Sequence, residues 1–161
     1  MTLNSKIRYF SIIFSFILAV SSCNNDKNDV IPDVTVSFSI SINDPQFVTL
    51  NTFGNAALVN KYTNNLGLRA AGFDENGIII FSWVDYEYYA YDRTCPHDYA
   101  ENNLSIPVNI DPENSMNAIC PECGTNYSLS AGGTPASGIG RYPLKNYKTA
   151  FDGVNIFVSN Y

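Results

Sequence analysis

The sequence predicts an all-β fold, and three observations predict it. Val34-Thr-Val-Ser-Phe-Ser-Ile-Ser-Ile42 alternates apolar and polar residues with the period of two that a half-buried strand needs, placing Val34, Val36, Phe38, Ile40 and Ile42 on one face. Ile78-Ile79-Ile80-Phe81-Ser82-Trp83 is an almost continuous apolar run bounded by turn residues, which suits a strand buried on both faces. No stretch holds a helical period of 3.6 beyond a couple of turns, and no internal repeat is present.

The first 22 residues read as a targeting segment. Lys6 and Arg8 form a basic start, and Tyr9 to Val20 is an apolar run too short to span a bilayer. Val20-Ser21-Ser22-Cys23 resembles a bacterial lipobox, which would make Cys23 the lipidated first residue of the mature chain; an ordinary secretory signal would leave Cys23 a bystander. Residues 23–33 follow as a polar tether, with Asn24 to Asp29 lacking any apolar anchor. Removing residues 1–22 takes away two basic groups, so the formal charge of −6 becomes −8. That balance argues against nucleic acid as a partner, because nothing here neutralises a run of phosphates. Residues 34–161 suffice for one core.

Within that domain, Asn43-Asp44-Pro45 stops the first strand, and Gln46 to Asn55 reads as a loop or short helix-like turn before a strand at Ala56 to Val59. Leu68 to Ala71 reads as a strand, with Phe73 to Gly77 as a hairpin turn into the apolar run at Ile78. Tyr86 to Asp92 reads as a further strand whose aromatics pack within a sandwich. Ala100 to Ala118 is polar and irregular, an insertion that would cover one side of a site; Glu101, Asp111 and Glu113 suit a solvated face. Asp152-Gly153 and an alternating apolar tail suit a closing hairpin.

The residues that carry chemistry lie in two short loops. Thr94-Cys95-Pro96-His97 holds one cysteine and the single histidine of the chain; Cys120-Pro121-Glu122-Cys123-Gly124-Thr125-Asn126-Tyr127 holds a Cys-x-x-Cys pair. The 22 residues between His97 and Cys120 separate two pairs of soft ligands, each pair holding a proline. Three thiols and one imidazole fit a tetrahedral zinc or a two-iron cluster of mixed ligation. Cys120 and Cys123 are also close enough to close a disulfide, which would strand Cys95 in an oxidising compartment.

From Cys95 onward the pattern resembles a Rieske [2Fe–2S] domain, and the resemblance covers roughly residues 56 to 161. The second loop, the Gly138-Ile139-Gly140 turn, Pro143-Leu144 and the closing hairpin carry it; the opening block more loosely resembles Rieske-like lipoproteins of Bacteroidetes-type bacteria. It implies an antiparallel β-sandwich with a small inserted cluster-binding subdomain. It further implies Cys95 and Cys120 on an inner iron, with His97 and Cys123 on an outer one. Thr125 would donate to a bridging sulfide and Tyr127 to a ligand sulfur. Two departures stand out: Cys123 occupies the place of a histidine, and the cover loop lacks its Pro-Ala. A third thiolate makes the cluster more negative, which implies a potential between about −400 mV and the range of about −150 to +300 mV.

The sequence therefore leads to an electron-transfer or redox-sensing lipoprotein with a [2Fe–2S] cluster, docking an unknown redox partner outside a bacterial membrane and anchored at Cys23. The alternatives are a structural zinc site of three Cys and one His, or an interaction protein that kept the scaffold and lost its electron chemistry. No catalytic constellation supports an enzyme acting alone.

Overall fold

The computed structural model describes residues 30–160. The targeting segment and Cys23 lie outside these residues. No helix among the described residues is long and apolar enough to cross a membrane.

The molecule is all-β. Among the described residues eleven strands run β1 Ser37–Ser41, β2 Ala56–Val59, β3 Leu66–Arg69, β4 Ile78–Ser82, β5 Tyr88–Asp92, β6 Asn109–Ile110, β7 Asn117–Ile119, β8 Asn126–Ser128, β9 Thr134–Ser137, β10 Asn146–Phe151 and β11 Asn155–Ser159. Among the described residues a single α-helix, α1 at Pro96–Asn102, interrupts them. Seven strands form one sheet in the order β2-β4-β5-β10-β11-β1-β3, and β6-β7-β8-β9 form a second. The named strand pairs in both sheets are antiparallel.

The long sheet closes over itself because β10 serves two neighbours. Asn146 and Tyr147 pair with β5, whereas Lys148 to Phe151 pair with β11. A strand that changes partners along its length makes the corner of a sandwich. Inside that corner lies the first core, with Val36 just before β1, Phe38 and Ile40 from β1, Ile156 and Val158 from β11, Ile78 and Ile80 from β4, and Tyr88 and Ala90 from β5. The alternation read in Val34 to Ile42 is seen here, with Val36, Phe38, Ile40 and Ile42 all buried, although hydrogen-bonded pairing covers only the middle of that stretch.

The run in β4 is buried on both faces, as its composition predicts. Ile78 and Ile80 point into the first core; Ile79 and Phe81 point the opposite way, into a second core with Tyr91, Cys95, Val108, Ala118, Cys120, Tyr127, Leu129 and Leu144. This second core is roofed by the short sheet, which the chain inserts between β5 and β10. The Tyr91 hydroxyl donates to the Leu129 carbonyl at 2.7 Å, linking the two layers.

Three sequence expectations need correction. Phe73 to Gly77 is a turn but not the tip of a hairpin: β3 pairs with β1 at the far edge of the sheet, while β4 pairs with β2 and β5. The strand expected at Leu68 begins two residues earlier, since its register is set by β1. Tyr86 lies outside β5, in a turn where Asp85 and Tyr86 both take positive φ, and its ring stacks on Phe151 at 6.0 Å. Before the first strand, Ile31 is only 1% exposed and its carbonyl accepts from the Lys145 ammonium at 2.8 Å. Packing on the domain therefore starts within residues 30–33.

The two-sided burial of β4 yields a stability prediction. Ile80→Ala lowers unfolding free energy by about 2–5 kcal/mol in a urea titration, because it opens a cavity in close-packed surroundings. Leu66→Ala, at a position 76% exposed, changes it by less than about 0.5 kcal/mol.

Candidate metal centre

The first loop is fixed from behind by a buried carboxylate. Asp92, at the end of β5, has no exposed surface. One of its oxygens accepts from the Thr94 amide at 2.8 Å; the other accepts from the Phe73 amide at 2.6 Å and the Tyr147 hydroxyl at 2.7 Å. Arg93 donates to the carbonyls of Val108 and Asn76 and to the Asn109 side chain, each at 2.9 Å. The Cys95 amide donates to the Ile106 carbonyl at 2.8 Å. Cys95 thus enters the site on a backbone held from three directions.

Cys95 caps α1, with Pro96 at the first helical position, where a missing N–H costs nothing. Residues three apart on a helix share a face, and residues two apart do not. Asp98 therefore turns back toward Cys95, and His97 does not.

The second loop is a tight knuckle between β7 and β8. The Gly124 amide donates to the Cys120 carbonyl at 3.1 Å and the Cys120 amide to the Thr125 carbonyl at 3.0 Å. Gly124 takes φ of 68°, a conformation that suits glycine. Backbone N–H groups face all three sulfurs: Asp98 toward Cys95, Glu122 and Cys123 toward Cys120, and Thr125 toward Cys123. Such donors stabilise thiolates.

The sulfurs of Cys95, Cys120 and Cys123 and one carboxylate oxygen of Asp98 all lie within 4.8 Å of one another. Cys95 Sγ and Cys123 Sγ are 3.7 Å apart, and the Cys120 thiol donates to Asp98 Oδ2 at 2.9 Å. Cys95, Cys120 and Asp98 are buried; Cys123 and His97 are partly exposed. Of the residues predicted from sequence, Cys95, Cys120 and Cys123 are brought together and His97 is not part of the group. All three cysteines are free thiols.

Thr125 and Tyr127 are both fully buried beside the sulfurs. The Cys123 thiol meets Thr125 Oγ1 at 3.2 Å, and Tyr127 Oη lies 3.3 Å from Cys95 Sγ. Burial and then the Cys95 sulfur push the Tyr127 phenol well up, so it stays protonated and able to donate. The 138–140 turn closes over both: the Gly140 amide donates to Thr125 Oγ1 at 2.9 Å. A β-carbon on Gly140 would stand 2.6 Å from Thr125 Cγ2 and 3.2 Å from the Tyr127 hydroxyl. Only glycine fits that approach.

Ionisation within the group is uneven. The Cys120 thiol holds Cys95 down to about 6 against the opposing effect of burial, with the Tyr127 hydroxyl and the Asp98 amide adding to it. Cys120 is pushed up, first by its bond to Cys95 and then by burial. Burial raises the Asp98 carboxyl, yet the thiols of Cys120, Cys95 and Cys123 and the neighbouring His97 charge together hold it below its ordinary value.

A zinc–sulfur bond of about 2.3 Å makes the edge of a tetrahedron about 3.8 Å. The 3.7 Å between Cys95 and Cys123 sulfurs matches that edge. A two-iron cluster puts its ligands in pairs on two metals, and ligands on opposite irons stand farther apart than one tetrahedral edge. With Cys95 and Cys123 one edge apart and His97 outside the group, the residues as placed lie nearer to a single-ion site than to a [2Fe–2S] cluster on Cys95, His97, Cys120 and Cys123.

Sequence reasoning missed Asp98, Asp92 and Arg93. The signal for Asp98 was available: Cys95-x-x-Asp98 repeats the spacing of Cys120-x-x-Cys123, and a carboxylate is an ordinary zinc ligand.

No family model matches the chain, and no curated protein matches it. Among solved structures it is similar to the ferredoxin of carbazole 1,9a-dioxygenase from Nocardioides aromaticivorans IC177, at TM-score 0.43 and 17% identity over 70% of this chain and 93% of that one. It is also similar to a Sphingomonas yanoikuyae B1 ferredoxin, at TM-score 0.43 and 14% identity over 69% and 92%. A chain in the complex of reduced oxygenase and oxidized ferredoxin in carbazole 1,9a-dioxygenase gives TM-score 0.41 and 17% identity over 68% and 83%. Likeness of that size settles neither ligand nor activity.

The Asp92 hub yields a second prediction. Asp92→Ala strands two buried amides and a buried hydroxyl, each worth about 1–3 kcal/mol. Unfolding free energy falls accordingly in urea, and hydrogen exchange at the Thr94 amide quickens.

Proposed function

We propose that this chain is a metal-carrying β-domain on a Rieske-like scaffold, exported and tethered to a membrane through Cys23, in which one ion clamps the two cysteine loops together. The observation that supports it is the spacing of the thiols of Cys95, Cys120 and Cys123, gathered within 4.8 Å behind a buried wall. The ion joins the end of β5 to the knuckle of the inserted sheet. Its binding free energy is then folding free energy for that sheet, which rests on a small core of its own. Thiolate-rich tetrahedral sites suit zinc, which supplies charge neutralisation and no redox chemistry.

A one-electron carrier is the second reading, with a [2Fe–2S] cluster on Cys95, His97, Cys120 and Cys123 and a redox partner docking at the edge that bears His97. The observation that favours it is the Tyr127 hydroxyl 3.3 Å from Cys95 Sγ, the place where the Rieske resemblance puts a donor to a ligand sulfur. It requires Cys95 and Cys123 to move apart and His97 to turn inward.

Metal and acid-labile sulfide analysis of the mature chain, purified anaerobically, separates these readings. One zinc per chain, no sulfide and no visible colour is the expected result, with a chelator lowering the thermal midpoint. Two irons and two sulfides per chain would establish the electron carrier instead, and absence of any metal would overturn both.

A further inference from the structure

The geometry points to Asp98, and not His97, as the fourth ligand of a single borderline divalent ion such as zinc, in a site of three sulfurs and one oxygen. This rests on the reading of the two loops as a metal clamp and names the ligand that completes it. Three observations carry the assignment.

The first is position. Asp98 contributes the fourth donor atom of the closed group, while His97 belongs to a different face of the same helical turn. The second is deep burial with no ion pair, the nearby His97 charge lying outside the donor group. Asp98 is 2% exposed, and among the described residues the ion pairs formed are Lys61–Glu75 and Lys145–Asp33, neither of which involves it. Arg93, the nearest lysine or arginine in sequence, spends its guanidinium on two carbonyls and an amide side chain. A carboxylate placed so deep beside three thiols calls for a cation, because an uncompensated buried charge is strongly unfavourable.

The third is the bond it makes. Cys120 Sγ and Asp98 Oδ2 lie 2.9 Å apart, a pair bridged by one proton. An ion taking the place of that proton needs zinc–sulfur and zinc–oxygen bonds of about 2.3 and 2.1 Å, which set a sulfur–oxygen edge of about 3.6 Å. Reaching that edge from 2.9 Å opens the pair by about 0.7 Å, which side-chain rotation supplies. Loading the ion releases the thiol protons, which leave to solvent; no electron changes hands.

Cobalt(II) is the probe, added to the metal-free mature chain and competed with zinc. The wild type is expected to take up one cobalt with tetrahedral visible bands and sulfur-to-cobalt charge transfer. His97→Ala keeps the spectrum and changes the affinity by less than about 10-fold, the low end of what loss of an outer partner costs. Asp98→Ala weakens binding by more than the roughly 10–100-fold that loss of an outer partner costs. Because that variant carries a folding risk, Asp98→Asn supplies a second readout: it keeps an oxygen that accepts from Cys120 and removes the charge that an ion would meet, so cobalt binding weakens while the thermal midpoint of the metal-free chain holds. An Asp98 that only accepts a hydrogen bond from Cys120 would leave cobalt affinity unchanged in Asp98→Asn. Loss of cobalt from His97→Ala with retention in Asp98→Ala would overturn the assignment while leaving the clamp intact. Failure of the wild type to bind either ion would overturn the clamp itself.

Discussion

β4 must be covered on both faces, and most of the architecture answers that demand. Ile78, Ile79, Ile80 and Phe81 have no exposed surface, and side chains along a strand alternate between opposite sides. One side is served by the sandwich half containing β1 and β11. The other has no partner in the seven-stranded sheet, so the chain supplies one by inserting β6 to β9 between β5 and β10. Cys95 and Cys120 are members of that second core as well as of the donor group. The donor group is therefore a corner of the hydrophobic interface between the two sheets, and an ion held there would act on the same contact that apolar burial makes.

Electrostatics set the second constraint. Two buried acids stand within a few residues of each other on either side of Cys95, and they are handled in different ways. Asp92 is satisfied wholly by donors: two amides and a tyrosine hydroxyl take up its oxygens, a common arrangement for a structural carboxylate. Asp98 has thiols where Asp92 has amides. Thiols are weak donors that become acceptors once ionised. The first arrangement is complete without a cation and holds the loop; the second accumulates negative charge as soon as a thiol loses its proton.

The shell around the sulfurs tolerates little change. Thr125 lies just before β8 and Tyr127 within it, both buried, and the 138–140 turn presses on both through glycine. This cover excludes water from the Cys95 side while leaving Cys123 and His97 nearer to solvent. A hydroxyl beside a sulfur donates to a thiolate whatever metal it binds, which is why the same shell serves either a single ion or a cluster.

Period-two alternation and the run of Ile78 to Phe81 made the strands and the two-sided burial of β4 legible, because those signals are local and repeat over several residues. The pairing of the two loops was legible too, since three cysteines in knuckle spacing constrain chemistry strongly. Strand order was not: β3 lies beside β1 and not β4, a choice settled by packing between segments far apart in the chain. Nor was the makeup of the donor group. Seven residues of helix carry too short a period to be read from sequence, yet that one turn decides which of Asp98 and His97 faces the sulfurs. Sequence by itself determined which residue types are present and how far apart they lie along the chain. Only the tertiary structure decided their direction, because a side chain's direction follows from backbone dihedrals that distant contacts at Asp92, Arg93 and Ile106 hold in place.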